Sequence, residues 1–209
     1  MAFNIVAGVN NAVYGSVSGS GSYEEGVEVT LEVTANDGYR FVKWSDDNTD
    51  NPRIFNATED VTLTATLEMI PEYSVILNSN NSNLGSVSGS GNYLEGSTAT
   101  ISATPNLHCR FVKWDDDNTD NPRSIIVNSA ITLEAVFETV NWYSISTSVN
   151  DATMGSVTGA GDYDEGDTVT LTATANTDYK FVMWRDENTD NPRTFTASAS
   201  GSYEAVLQK

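Results

Sequence analysis

The chain has 209 residues, of which 29 are Asp or Glu and 10 are Lys or Arg, for a formal charge of −19. Residues 1–70 carry −8, residues 71–140 carry −5 and residues 141–209 carry −6, so the acidity belongs to the whole chain. It excludes a nucleic-acid backbone as partner, because that requires clustered Lys and Arg. The one cysteine, Cys109, excludes an intrachain disulfide. No apolar run is long enough to insert into a membrane. The N-terminal residues show no charged leader, which points to a protein made without export or to a segment of a longer one.

A repeat organises everything else. Residues 39–53, YRFVKWSDDNTDNPR, return as residues 109–123 and 179–193, and Trp44, Trp114 and Trp184 are 70 residues apart. A glycine-rich motif travels with them at residues 15–26, 85–96 and 155–166. A fixed period of this kind marks tandem structural units. It predicts three domains, residues 1–70, 71–140 and 141–209, joined by links too short and too poor in Gly and Ser for a flexible tether. The expectation is a semi-rigid rod.

Taken in order, each unit opens with a short β-like segment at residues 3–6, 73–77 or 143–147 and continues into an Asn-rich turn. A Gly-Ser-Val-Ser/Thr-Gly strand follows, and then glycines and a Tyr-X-Glu-Gly that read as a tight connection. The next strand alternates apolar and polar residues with period two and predicts Leu31, Ile101 and Leu171 in the core. The tryptophan strand adds Phe41, Phe111 and Phe181 with Trp44, Trp114 and Trp184 as core candidates. Strict alternation would place each Phe and its Trp on opposite faces, so either the strand is buried on both sides or a bulge resets its register. A short strand after Pro52 and a last alternating strand close the unit. No stretch has helical periodicity. The fold class is all-β, with about six short strands per unit.

Asp46, Asn48 and Asp50, repeated as Asp116, Asn118, Asp120 and as Asp186, Asn188, Asp190, have the alternate spacing with which a calcium loop begins. The sixth position is Asn51 rather than Gly, and the twelfth is Ala57, Val127 or Ala197 rather than Glu. The competing reading is a turn in which Asx side chains bond nearby backbone. Arg53, Arg123 and Arg193 are expected to pair with the loop aspartates or to stack on the tryptophans. Glu25, Glu95 and Glu165 stand alone in each copy and read as acceptors of turn hydrogen bonds, since a glycosidase needs two carboxylates. His108 and Cys109 are adjacent on a strand and absent from the sister copies, which excludes a nucleophilic pair. Trp142 is expected to pack between two repeats. No cofactor and no catalytic constellation is visible.

The ordered motifs Gly-Ser-Val-X-Gly-X-Gly-X-Tyr-X-Glu-Gly, Tyr-X-Phe-Val-X-Trp and Asn-Thr-Asp-Asn-Pro-Arg resemble a divergent internalin-B-type repeat of the Listeria–Bacteroides class. The resemblance covers all three copies. It implies small β-grasp-like or β-sandwich modules without enzymatic activity, used in tandem as stalks and binding modules of bacterial surface proteins and also in phage particles. The expected partner is therefore a protein surface, of a capsid or a cell envelope, with a glycan as a further candidate. The expected location is the virion surface, or alternatively the bacterial cell surface.

Overall fold

The computed structural model describes residues 1–209 and contains only strands, seven per repeat. The first repeat holds β1 (Ala2–Val9), β2 (Gly15–Ser18), β3 (Gly21–Glu24), β4 (Glu28–Ala35), β5 (Tyr39–Trp44), β6 (Arg53–Asn56) and β7 (Val61–Met69). The second holds β8 (Glu72–Ser79), β9 (Gly85–Ser88), β10 (Gly91–Leu94), β11 (Thr98–Pro105), β12 (Cys109–Trp114), β13 (Arg123–Ile126) and β14 (Ile131–Thr139). The third holds β15 (Trp142–Val149), β16 (Gly155–Thr158), β17 (Gly161–Asp164), β18 (Thr168–Ala175), β19 (Lys180–Trp184), β20 (Arg193–Thr196) and β21 (Gly201–Gln208). The strand beyond the expected six is β3 and its equivalents. They occupy the stretch whose glycines read as a tight connection, and β3 pairs antiparallel with β1 through Phe3↔Tyr23.

Each repeat has a four-stranded and a three-stranded sheet, ordered β3-β1-β7-β5 and β2-β4-β6 in the first. The central pair of the larger sheet is parallel, with Ile5 opposite Val61 and Val9 opposite Ala65. The chain divides into two compact units. One holds residues 1–76, 90–100 and 124–131, and the other holds residues 77–89, 101–123 and 132–209, so the middle repeat contributes to both.

The period-two pattern becomes the core. Strand β4 buries every second residue, Val29, Leu31 and Val33, which join Ile5, Trp44, Ala57, Leu63, Ala65 and Leu67 in one cluster. In the third repeat Ile145, Val169, Leu171, Ala173, Trp184, Ala197 and Ala205 form the corresponding cluster. Ile101, Trp114, Val127, Ala135 and Phe137 are likewise buried in the second. Burial of apolar area at about 25 cal/mol per Å² is the main stabilising term for units this small.

A bulge answers the question raised by the tryptophan strand. Phe41 faces Leu67 and Lys43 faces Thr66, so Val42 is an extra residue without a partner on β7. The same shift occurs between Phe111 and Lys113 and between Phe181 and Met183. The inserted residue returns Phe and Trp to one face, where Phe41 meets Trp44 edge-on at 5.7 Å. The tryptophans are fully buried, while Phe41, Phe111 and Phe181 are only half-buried at the margin of the core.

Candidate functional site

The loop after each tryptophan is the most elaborate polar structure of the repeat. The Trp44 indole N–H donates to the Asp50 carbonyl at 2.9 Å, with equivalents from Trp114 at 3.1 Å and Trp184 at 2.8 Å. Asp47, Asp117 and Glu187 adopt a left-handed conformation at the loop's corner, with φ of 66°, 66° and 69°. The Asn–Pro bonds before Pro52, Pro122 and Pro192 are cis. The side chain of Asn51 then acts like a short piece of strand: its Nδ2 donates to the Val33 carbonyl and its Oδ1 accepts the Val33 N–H, both at 2.8 Å. Asn121 does the same to Ala103 and Asn191 to Ala173.

The candidate calcium ligands are engaged within this turn. Asp46 accepts from Arg53 through both carboxylate oxygens, at 2.5 and 2.6 Å, and Asp116 accepts from Arg123 in the same way. Asp186 accepts from Arg193 at 2.7 Å. The hydrogen bonds from these guanidinium groups hold the three carboxyls below the usual aspartate range. Asn48 Oδ1 accepts the Asp50 N–H at 2.9 Å, and its Nδ2 donates to Asp50 Oδ2 at 3.2 Å. Asn118–Asp120 and Asn188–Asp190 repeat the backbone bond at 2.9 Å. A guanidinium bonded to the first carboxylate opposes a divalent cation, which favours the reading of this loop as an Asx turn.

The arginines also settle their second expected contact. Arg53 lies over the Phe55 ring at 5.6 Å, and Arg193 lies over Phe195 at 5.6 Å and Tyr203 at 4.9 Å. The tryptophans are sealed inside the core, and the rings left for the guanidinium groups are those at its edge.

Two of the three recurring glutamates, Glu95 and Glu165, accept hydrogen bonds at the joins between repeats rather than within their turns, while Glu25 is tied through its backbone N–H to the Met1 carbonyl. Glu95 accepts from Arg40 of the preceding repeat at 2.6 Å, while Arg40 also donates to Glu68 at 2.7 Å. Glu165 accepts from Asn141 Nδ2 at 2.9 Å. Two backbone bonds support each join. Ile70 N–H donates to the Gly38 carbonyl at 2.8 Å and Glu95 N–H to the Pro71 carbonyl at 2.7 Å, and Val140–His108 and Glu165–Asn141 repeat them at 2.8 and 2.7 Å. At the second join His108 stacks on Trp142 with centroids 4.7 Å apart, and its Nδ1 lies 2.6 Å from Asp164 Oδ1. Cys109 begins β12 and is half-buried.

A second set of asparagines is structural although composition marks them only as turn residues. Asn10 pairs through both amide atoms with the Leu67 backbone at 2.9 Å, Asn80 with Phe137 at 3.0 Å, and Asn150 with Leu207 at 2.8 and 3.0 Å. The signal was present, since the three recur at the same 70-residue spacing. Asn-rich composition alone reads as a turn, however, and their partners lie 57 residues away.

Three copies of a two-sheet β unit, each locked by a tryptophan-centred turn, define a tandem β-repeat protein. No curated protein matches the chain. A family model does, three times: the divergent InlB B-repeat domain matches residues 5–71, 75–141 and 145–205. The chain belongs to that family.

Proposed function

We propose that this is a non-enzymatic structural and binding repeat protein of a phage particle surface, attached to the capsid through a terminal repeat while the others project. The observation that carries the structural reading is the engagement of the polar loop groups. The arginines, aspartates and asparagines that recur in every copy bond to one another or to backbone, in the manner of scaffold residues. An acid-rich surface in every repeat suits display on a crowded particle, because like charges keep neighbouring copies apart. Family membership favours a second setting, a stalk or adhesion segment at a bacterial cell surface, where the same repeats would act as spacer and binding module.

Immunogold electron microscopy on the native source, with an antibody against these repeats, separates the two. Regular label on purified particles supports the capsid reading. Label on cell envelopes with bare particles overturns it in favour of the adhesin.

A further inference from the structure

The three copies differ most instructively around one cleft of the third repeat, lined by Trp184, Arg185, Asp186, Ser202, Tyr203 and Glu204. Arg185 stands where the first two repeats have Ser45 and Asp115, and Tyr203 stands where they bury Leu63 and Leu133. Gly201 replaces Val61 and Ile131, and this change is matched to the tyrosine. A Cβ at position 201 would lie 3.0 Å from Tyr203 Cε2 and 3.2 Å from its hydroxyl oxygen, tighter than ordinary contact. The third repeat thus has no side chain at 201 beside the larger ring at 203. Tyr203 is then pinned by the Arg193 guanidinium at 4.9 Å and by Phe195 at 4.9 Å, and stays half-buried with one side on the cleft.

The polar groups around that ring come in matched pairs. Arg185 Nη1 donates to Glu204 Oε1 at 2.6 Å, and the Arg185 N–H donates to the Glu204 carbonyl at 2.9 Å. Arg193 donates to Asp186 at 2.7 Å. Two guanidinium groups and two carboxylates cancel, so a locally neutral patch sits in a chain of charge −19. Ser202 and Tyr203 add hydroxyls that both donate and accept. A charged ligand finds no net counter-charge in this patch, and an anion is also repelled by the field of the whole chain. What fits is an uncharged ligand with many hydroxyls: the Arg185–Glu204 pair and the Ser202 hydroxyl bond its vicinal hydroxyls, and the side of Tyr203 on the cleft packs its C–H face.

We propose that this cleft is a carbohydrate site of the third repeat that takes a neutral sugar residue. The test is amide chemical-shift mapping on the full 15N-labelled chain, with the methyl glycosides of glucose, galactose and N-acetylglucosamine as probes and galacturonate as charged comparator. The expected result is saturable shifts at residues 185 and 202–204 with at least one neutral glycoside, and none at residues 45 and 62–64 or 115 and 132–134. The double variant Gly201→Val/Tyr203→Leu restores the side chains of the first two repeats. It should keep the near-UV spectrum of a folded chain and weaken binding at least about ten-fold, as should Arg185→Ser. No saturable shift with any neutral glycoside overturns the proposal. So do equal shifts in all three repeats, tighter binding of galacturonate, or undiminished binding by the folded double variant. Failure here leaves the particle-surface reading standing, since imaging tests that separately.

Discussion

Replacing Trp184 by Phe probes the reasoning that the tryptophan turn holds each repeat together. The indole is fully buried, and its N–H donates to the Asp190 carbonyl at 2.8 Å. Phenylalanine removes that donor and leaves the carbonyl without it, a loss of about 1 kcal/mol. It also leaves a void where the larger ring system was, for about a further 1–2 kcal/mol, because such a site relaxes only in part. The sum, about 2–3 kcal/mol, corresponds to a fall of roughly 10–20 °C in the Tm of a unit near 70 residues. Trp142 is the internal control, since it is 48% exposed. Trp142→Phe removes surface area and part of a ring stack, and is expected to cost under about 1 kcal/mol. Calorimetry follows the transition that contains the third repeat, because tandem units need not unfold in one step. Equal Tm shifts for the two variants, or a Trp184→Phe cost below about 1 kcal/mol, would refute the argument.

Further outcomes follow from the same geometry. The carboxyls of Asp46, Asp116 and Asp186 are depressed by their arginines, so the stability they add is present above the ordinary aspartate pKa and is lost as pH falls through the lower folded value. Neutralising other carboxylates relieves self-repulsion in the same range, so the readout is a difference: the Asp46→Asn/Asp116→Asn/Asp186→Asn variant should be less stable than the parent at pH 7 and converge with it in strong acid. A gap independent of pH in urea melts would contradict this. Asn150→Ala strips two hydrogen bonds from the Leu207 backbone and should cost about 1–3 kcal/mol by chemical denaturation, against under about 0.5 kcal/mol for the exposed Asn78→Ala. Titration with Ca²⁺ should leave Tm and calorimetric heat unchanged, because Arg53, Arg123 and Arg193 hold the first carboxylate of each loop; a saturable heat would overturn that assignment.

The sequence alone determined the features that are local or periodic. The 70-residue spacing of the tryptophans announced three copies, and the alternation in β4 and β7 marked which of their residues face inward, because side chains alternate across a strand whatever its neighbours. The turn chemistry of the Asp/Asn loop was legible too, as one of two readings. The tertiary structure decided whatever depends on a partner distant in the chain. Residues 21–24 became a strand because Phe3 and Asn4 lie beside them. Val42 became a bulge because Phe41 and Lys43 face consecutive residues of β7. Glu95 turned from its own turn towards Arg40, 55 residues back, and Asn10 reached Leu67, 57 residues on. A hydrogen bond is specified by position in space, and a local pattern carries no record of which residue chain folding will bring opposite.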